Sequence, residues 1–367
     1  MAPPPSPAVL VVNTGSSSVK LALCDPAGAR LWQEQRHWDG EGEGGLETLL
    51  EQWLAPLLAR WDPAPGLVAH RLVHGGGRFT APTLLTAEVQ EQLQELVPLA
   101  PLHNGPALAA IRWLGAHGPA ATHLEQWACF DTAFHASLSP AAYSYAIPAD
   151  WRAQGLRRYG FHGLNHQHIG STVAHREPAV RRLISCHLGA GCSLCAIAIS
   201  ADGIPRSVDT TMGFTPLEGL VMASRSGSLD PGLLLHLLRQ GMAPAELDTV
   251  LNRRSGLLGL SDLSGDMREL RLAASQGHSG AQLAIAVFRH RLLQAIAAMA
   301  ASLGGVDAIA LTGGIGEHDD ALMSDLKQAL TWLGPLLWLR IPADEEGTMV
   351  RQCLGAQLEP FFLNCSS

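Results

Sequence analysis

The stretch VLVVNTGSSSVKLAL, residues 9–23, sets an apolar run against a Gly, three serines and a Lys, and then a second apolar run. Two short strands joined by a tight turn satisfy this pattern. The turn is not the G-x-x-x-x-G-K-[ST] phosphate loop, and no helical spacing follows the Lys. Taken alone, it reads either as a polar hairpin or as a concavity of backbone N–H groups and hydroxyls that takes a phosphate, with Lys20 adding a point charge.

Two further stretches weigh on that choice. RRLISCHLGAGCSLCAIAI (181–199) repeats the plan of apolar run, Gly turn, Ser and apolar run. Gly15, Ser16 and Ser18 find counterparts there in Gly189, Gly191 and Ser193. Hairpins of one design about half a chain apart point to an internal duplication. Each begins a β-rich segment followed by helices, which predicts two α/β domains with ligands held in the cleft that they share. VDAIALTGGIGEHDDALMSDL (306–326) reads as strand, Gly-rich turn and a helix with Asp319 and Asp320 in its first turn. The acidic pair would repel a phosphate, so a base or ribose is expected at that turn. Three such turns in one chain favour nucleotide binding.

Composition leaves room for this reading. The chain has 367 residues, 47% hydrophobic and 16% charged, enough for a large core and more than one domain. A net charge of -8 argues against a nucleic-acid partner, though Arg and His can still cluster in one cleft. The seven cysteines, odd in number and scattered, suit free thiols in a reducing compartment. Cys192 and Cys195 lie three apart in a predicted strand and so face opposite sides, against a redox or zinc pair. The Pro-rich start MAPPPSPAVL does not read as a secretory leader. The apolar stretch near 281–303 carries Arg289, His290 and Arg291 and reads as a core or amphipathic helix, not a membrane span. A cytoplasmic protein is expected. TAEVQEQLQELVPLAPL (86–102) has helical spacing as far as Pro98.

Several cations sit beside Gly or turns: Arg71 in HRLVHGGG, Arg157, Arg158 and His162 in RRYGFHG, Arg225 in MASRSGSLDP and Arg268 in SGDMREL. Any one of them alone is a surface residue; together they suit clamps on a transferring phosphoryl group. His162 and His166 have an i, i+4 spacing but no third zinc ligand, so hydrogen bonding is the expected role. Asp131 in CFDTAFH ends a strand, where either a functional carboxylate or a turn aspartate is at home. Asn13 and Glu345 are candidate oxygen ligands for Mg²⁺.

In this order, NTGSSSVK, HRLVHGGG, PLAPLHN, FDTAFH, RRYGFHG, SCHLGAG, DTTMGFTPLEGL, SRSG, LDPG, SGLLG, DMR, TGGIGE and ADEE span nearly the whole chain. The series resembles the acetokinase family, within the group that includes sugar kinases, actin and the heat-shock ATPase chaperones. The resemblance implies two duplicated ribonuclease H-like (actin-like ATPase) domains with an interdomain cleft: 1–137 plus 347–367 on the carboxylate-substrate side, and 138–346 on the nucleotide side. It implies reversible transfer of the ATP γ-phosphoryl group to acetate by in-line displacement, with Mg²⁺ or Mn²⁺, in a homodimer that uses no nucleic acid and no membrane.

By motif position, the resemblance gives Asn13 and Glu345 to the metal. It gives Ser16, Ser18, Lys20, His187, Leu188, Gly189, Ala190, Gly191, Asp266, Met267, Arg268, Gly314, Ile315, Gly316, Glu317 and His318 to ATP. Asp131, His162 and Arg225 match catalytic positions, and Arg71 the substrate arginine. Val73, Leu102, Phe161 and Pro216 match a pocket for the methyl group. A propionate or butyrate kinase, or an ATP-sensing protein of the same fold, are the other readings. The chain departs from the family pattern at Ala190, where the second loop usually has Asn, at Ala223 for Gly, in HNGP for H-N-P-P, and at His318 for Asn. With Ala190 in place of the family's asparagine, one side-chain amide is lost, which implies weaker ATP binding.

Overall fold

The computed structural model describes residues 8–15, 18–38, 42–62, 64–117 and 124–363. In chain order the elements are β1 (Val9–Thr14), β2 (Ser18–Cys24), β3 (Arg30–His37), α1 (Gly42–Arg60), β4 (Leu67–Leu72), β5 (Thr83–Leu84), α2 (Ala87–Gln94), α3 (Pro101–His117) and β6 (Glu125–Phe130). Next come α4 (Pro140–Tyr143), α5 (Ala149–Ala153), α6 (Gly163–Arg176), β7 (Arg182–Leu188), β8 (Cys192–Ile199), β9 (Pro205–Thr210), α7 (Pro231–Arg239), α8 (Pro244–Arg253), α9 (Gly256–Ser261), α10 (Met267–Ser275) and α11 (Ser279–Leu303). The chain closes with β10 (Ala308–Thr312), α12 (Gly313–His318), α13 (Asp320–Ala329), β11 (Leu337–Arg340) and α14 (Glu345–Leu363). Residues 1–134 with 344–367 form one compact unit and residues 135–343 another.

Each unit is built on one sheet. In the first, the order is β3-β2-β1-β4-β6-β5, with β1, β2 and β3 antiparallel and β1, β4 and β6 parallel. In the second it is β11-β10-β7-β8-β9, with β7, β8 and β9 antiparallel and β7, β10 and β11 parallel. The plan is the same, an antiparallel meander extended by two parallel strands, apart from the added edge strand β5. This is a duplicated α/β fold, as the paired hairpins predicted.

The register corrects one detail. Asn13 pairs with Lys20, whereas His187 pairs with Ser193. The first turn is one residue longer, so the counterpart of Ser193 is Lys20, not Ser18. The shift arises because Gly15 N–H bonds to the Ser18 carbonyl, while Gly189 N–H bonds to that of Gly191.

Strand alternation divides the first sheet into two faces. Leu10, Val12, Leu21 and Val68 pack with Leu46, Leu50 and Leu54 of α1 and Ala109, Trp113 and Leu114 of α3. The other face carries Asn13, Lys20, Arg71 and Cys129 and lies under α14, where Cys129 Sγ approaches the Met349 carbonyl. In the second unit, α6 and α11 both pack on β7, β8 and β9. His166 of α6 bonds to Ser185 and Ser193, which fixes the face that α6 covers. The helix α11 is long and apolar enough by composition to cross a membrane. Here Phe288, Leu292, Ile296 and Met299 are buried, so it serves as a core helix.

Two helix readings change. The expected helix to Pro98 ends at Gln94, and Val97–Leu99 form a short 3₁₀ turn. Pro98 has no N–H, and it disfavours helical geometry at Val97. Gly313–His318 is helical itself, and Asp319 caps the following helix through Leu322 N–H.

Burial pushes His70 and His135 down to about 4, only partly offset by Gln126 for His70 and by the Phe161 carbonyl for His135. Their folded values lie below the unfolded value near 6.5, so their stabilisation is complete above that pH. It is lost as pH falls towards 4, by up to roughly 1.4 kcal/mol per pH unit for each residue. Denaturant titrations from pH 7 to 4 should show stability falling with acid, and His70→Gln should flatten that slope.

Candidate functional site

In the first unit, β1, β4 and β6 end side by side, and Asn13, Arg71 and, just past β6, Asp131 bring polar groups together there. Arg71 donates Nε and Nη2 to the two oxygens of Asp131, at 3.1 and 2.5 Å, and Nη1 to Asn13 Oδ1 at 3.1 Å. Asp131 is 1% exposed and the Arg71 side chain 17%. Burial opposes charge on Arg71, yet Asp131 and Glu345 outweigh it and raise its pKa. Burial also raises Asp131, against the pull of Arg71. The bidentate bond is what makes a buried carboxylate tenable.

Glu345, in the first turn of α14, acts electrostatically on both partners. Asn13, Asp131 and Glu345 supply oxygen ligands, two of them carboxylates, with Asn13 Oδ1 and both Asp131 oxygens engaged by Arg71 here. That set fits a hard divalent cation that keeps several waters.

Lys20, expected beside a phosphate, also has a carboxylate partner. Its ammonium pairs with Glu346, which is only 5% exposed and also has Arg30 at 3.6 Å. A carboxylate this buried needs counter-charges, and Lys20 is one of them. Glu346 was missed because ADEE offers three acids without saying which points inward. Ser18 closes the hairpin through its carbonyl, and Ser16 lies outside the described residues. Asn104 was also missed; it is buried and clamps the loop after β4, bonding both the N–H and the carbonyl of His74. Of the apolar candidates in this unit, Val73 is buried, while Leu102 is 48% exposed near the start of α3.

In the second unit, His162 and Arg225 converge on Gly191 in the β7–β8 turn. A Cβ at Gly191 would lie 2.7 Å from Arg225 Nη2 and 3.2 Å from His162 Nε2, so a side chain there would push Arg225 away from its place beside His162. His162 adopts φ 56, an uncommon left-handed conformation for a side chain, just before α6. Its ring stacks on His187 at 4.3 Å. Asn165 Nδ2 approaches His187 Nδ1 at 2.7 Å and Thr312 Oγ1 at 3.4 Å. Arg225 Nη1 donates to the Pro216 carbonyl at 2.8 Å. Its loop is tied down by N–H groups of Ser255, Leu257 and Leu258 onto Ser224, Met222 and Ala223. Phe161 is buried and its carbonyl bonds His135.

Arg157 and Arg158 are not clamps. Arg157 lies 3.7 Å over the Tyr143 ring, and Arg158 pairs with Glu218 and bonds three backbone carbonyls from Thr210 to Met212.

The same unit holds a cavity of about 850 Å³, a size that suits a nucleotide. It is lined by Gly189, Ala190, Asp266, Met267, Arg268, Gly314, Ile315 and His318, all expected, and by Ala223, Gly265, Arg271, Asp319 and Asp320. Leu188, Gly316 and Glu317 do not line it. Leu188 points into the core, Gly316 packs on Leu311, and Glu317 accepts from Gly313 and Ala343 N–H. The acidic pair is not left to repel an anion: Arg271 binds Asp319 at 2.9 and 2.8 Å, and Arg340 binds Asp320 at 2.6 Å. Arg268 folds back on Asp266 and holds it down at about 2. Arg271 follows Arg268 by three residues, on one helix face, a spacing that could have flagged it.

Residues 40–346 match the acetokinase family. An acetate kinase from Synechococcus sp. is 45% identical over 361 residues, covering 89% of this chain and 88% of that protein. The chain belongs to the acetokinase family. The crystal structure of Porphyromonas gingivalis acetate kinase superposes with a TM-score of 0.82 at 29% identity, over 96% of this chain and 100% of that one. A propionate kinase from Francisella tularensis gives 0.84 at 30% identity, over 94% and 98%. These acetokinase relatives share the duplicated actin-like ATPase fold seen in the two sheets here.

Proposed function

We propose that this protein is an acetate kinase, moving the γ-phosphoryl group of ATP reversibly to acetate to give acetyl phosphate and ADP. The observation that carries the reading is Arg71, largely buried at a strand end and held by Asp131 and Asn13. A carboxylic acid is ionised near neutral pH and needs no general base. The difficulty is bringing two anions together, and a planar guanidinium meets it.

Arg71 would bind the acid's carboxylate, with Val73 among the apolar contacts of its alkyl group. Asn13, Glu345 and Asp131 would hold Mg²⁺ or Mn²⁺, which when bound supplies charge neutralisation for the phosphates. Arg225 and His162 would donate to the transferring group as charge shifts onto its oxygens. The cavity near Gly189 and Gly314 would take the nucleotide. The likeness to a propionate kinase supports a three-carbon acid as a second reading, since one methylene changes binding by only about 1–3 kcal/mol. Free, buried cysteines support a cytoplasmic setting.

A homodimer is supported by α7, in which no residue is buried although Leu233, Leu235 and Leu238 are 44, 51 and 37% exposed. Equilibrium sedimentation should give twice the chain mass, and a monomer at micromolar concentration would reject that assignment. A hydroxamate assay with ATP, Mg²⁺ and two- to four-carbon acids should give most product with acetate. Arg225→Ala should lower kcat by at least about 100-fold; activity near wild type would remove Arg225 from the mechanism. Ala190→Asn should lower the KM for ATP about fivefold by restoring one phosphate hydrogen bond, and an unchanged or raised KM would reject that role for position 190.

A further inference from the structure

Behind His162 runs a line of buried hydrogen bonds that the reaction as described does not use. His162 Nδ1 is 2.8 Å from Ser193 Oγ, Ser193 Oγ is 2.8 Å from His166 Nε2, and His166 Nδ1 is 2.9 Å from Ser185 Oγ. Ser185, Ser193 and His166 are each fully buried. The register of β7 and β8 puts both serines on the face that α6 covers. Burial, with His135 and His187 nearby, lowers His166 well below the ordinary value, so it is neutral at pH 7.

A neutral imidazole has one donor and one acceptor nitrogen, and a hydroxyl has one proton to give. Ser193 Oγ could also accept from both imidazoles, but its own proton would then have no acceptor among the described residues. Two polarities remain in which Ser193 both gives and takes a hydrogen bond. In one, His166 Nδ1–H donates to Ser185, and the Ser185 hydroxyl proton is left in the core. Ser185 Oγ has no other hydrogen-bond partner among the described residues. A buried donor without an acceptor carries its full desolvation cost, whereas unused lone pairs cost little. The other polarity avoids this. Ser185 O–H donates to His166 Nδ1, His166 Nε2–H to Ser193 Oγ, and Ser193 O–H to His162 Nδ1. The remaining His162 proton is then on Nε2, the atom beside Gly191 and Arg225.

We infer that Ser193, His166 and Ser185 are positioning residues that hold His162 as the neutral Nε2–H tautomer, so that it presents a fixed donor to the transferring phosphoryl group. The inference rests on the reading of His162 in the preceding section. Protonating His162 at Nδ1 would either reverse the line or leave the Ser193 proton without an acceptor, so the line also opposes a charge on it. The titratable and charged neighbours act in the same direction: His187 stacked on its ring, Arg225 across Gly191, and His135 edge-on to His166.

Nitrogen-15 spectra of the full-length protein labelled at histidine, with His162 assigned by His162→Gln, test the inference directly. At pH 7.5 the wild type should show a protonated Nε2 and a bare Nδ1 on His162; the reverse pattern overturns the proposal. Ser193→Ala should mix the two tautomers and lower kcat roughly tenfold with both KM values nearly unchanged, and Ser193→Thr, which keeps the hydroxyl, should restore kcat. Wild-type kcat in Ser193→Ala, in a protein where His162→Gln is slow, overturns the relay and leaves the role of His162 intact. A fast His162→Gln instead overturns the role of His162, while the tautomer still judges the relay. Should Ser193→Ala fail to fold, Ser185→Ala and the wild-type spectrum give the same decision.

Discussion

A side chain on a β-strand reaches one face of its sheet and no other. That constraint decides which strand residues of this molecule are free for chemistry. In the first unit the even-numbered apolar residues of β1 and β4 go to α1 and α3, so the alternate face is left to Asn13 and Arg71. Parallel pairing of β1, β4 and β6 brings the strand ends together, and Asp131, just past β6, closes the group. In the second unit the same alternation lines up Ser185, His187 and Ser193 beneath α6.

Putting charge at such places is costly, and the structure shows how the cost is met. Asp131 is accepted into the interior only with two hydrogen bonds from one guanidinium. Glu346 has Lys20 and Arg30, and Asp319 has Arg271. These pairs contribute little net stability, because desolvation offsets most of the attraction. Their effect is on geometry: removing either partner leaves a buried charge unmet, so Arg71 has few orientations open to it. The histidines near Gly191 are handled in the opposite way. Burial keeps His166 neutral, and His162 and His187 are tied to it and to the sheet by hydroxyls and one amide.

The cavity of the second unit has a small-residue wall. Ala190 and Ala223 sit next to each other there, joined by the Ala223 N–H to Ala190 carbonyl bond, and Gly265 leaves room for the Ala223 methyl group. Both alanine side chains are single methyl groups, so this part of the wall is apolar. Charge around the rim is carried instead by Arg268 and Arg271, each engaged with an aspartate.

The duplication was legible in the chain before any folding, because apolar run, Gly turn and apolar run is a local pattern written twice. The strand ends at Arg71 and Asp131 and the Gly turns around the cavity were legible too, since turn chemistry and alternation are short-range. Nothing local says that Lys20 belongs to Glu346, that Arg271 meets Asp319, or that Glu317 turns to backbone N–H groups. Lys20 and Glu346, and Arg271 and Asp319, are tens to hundreds of residues apart, and Glu317 reaches Ala343 as well as the nearby Gly313; only packing decides which group finds which. The helix that stops at Gln94, and the turn one residue longer between Asn13 and Lys20, have the same lesson. Spacing proposes a register, but it is the pairing of one strand with another that sets it.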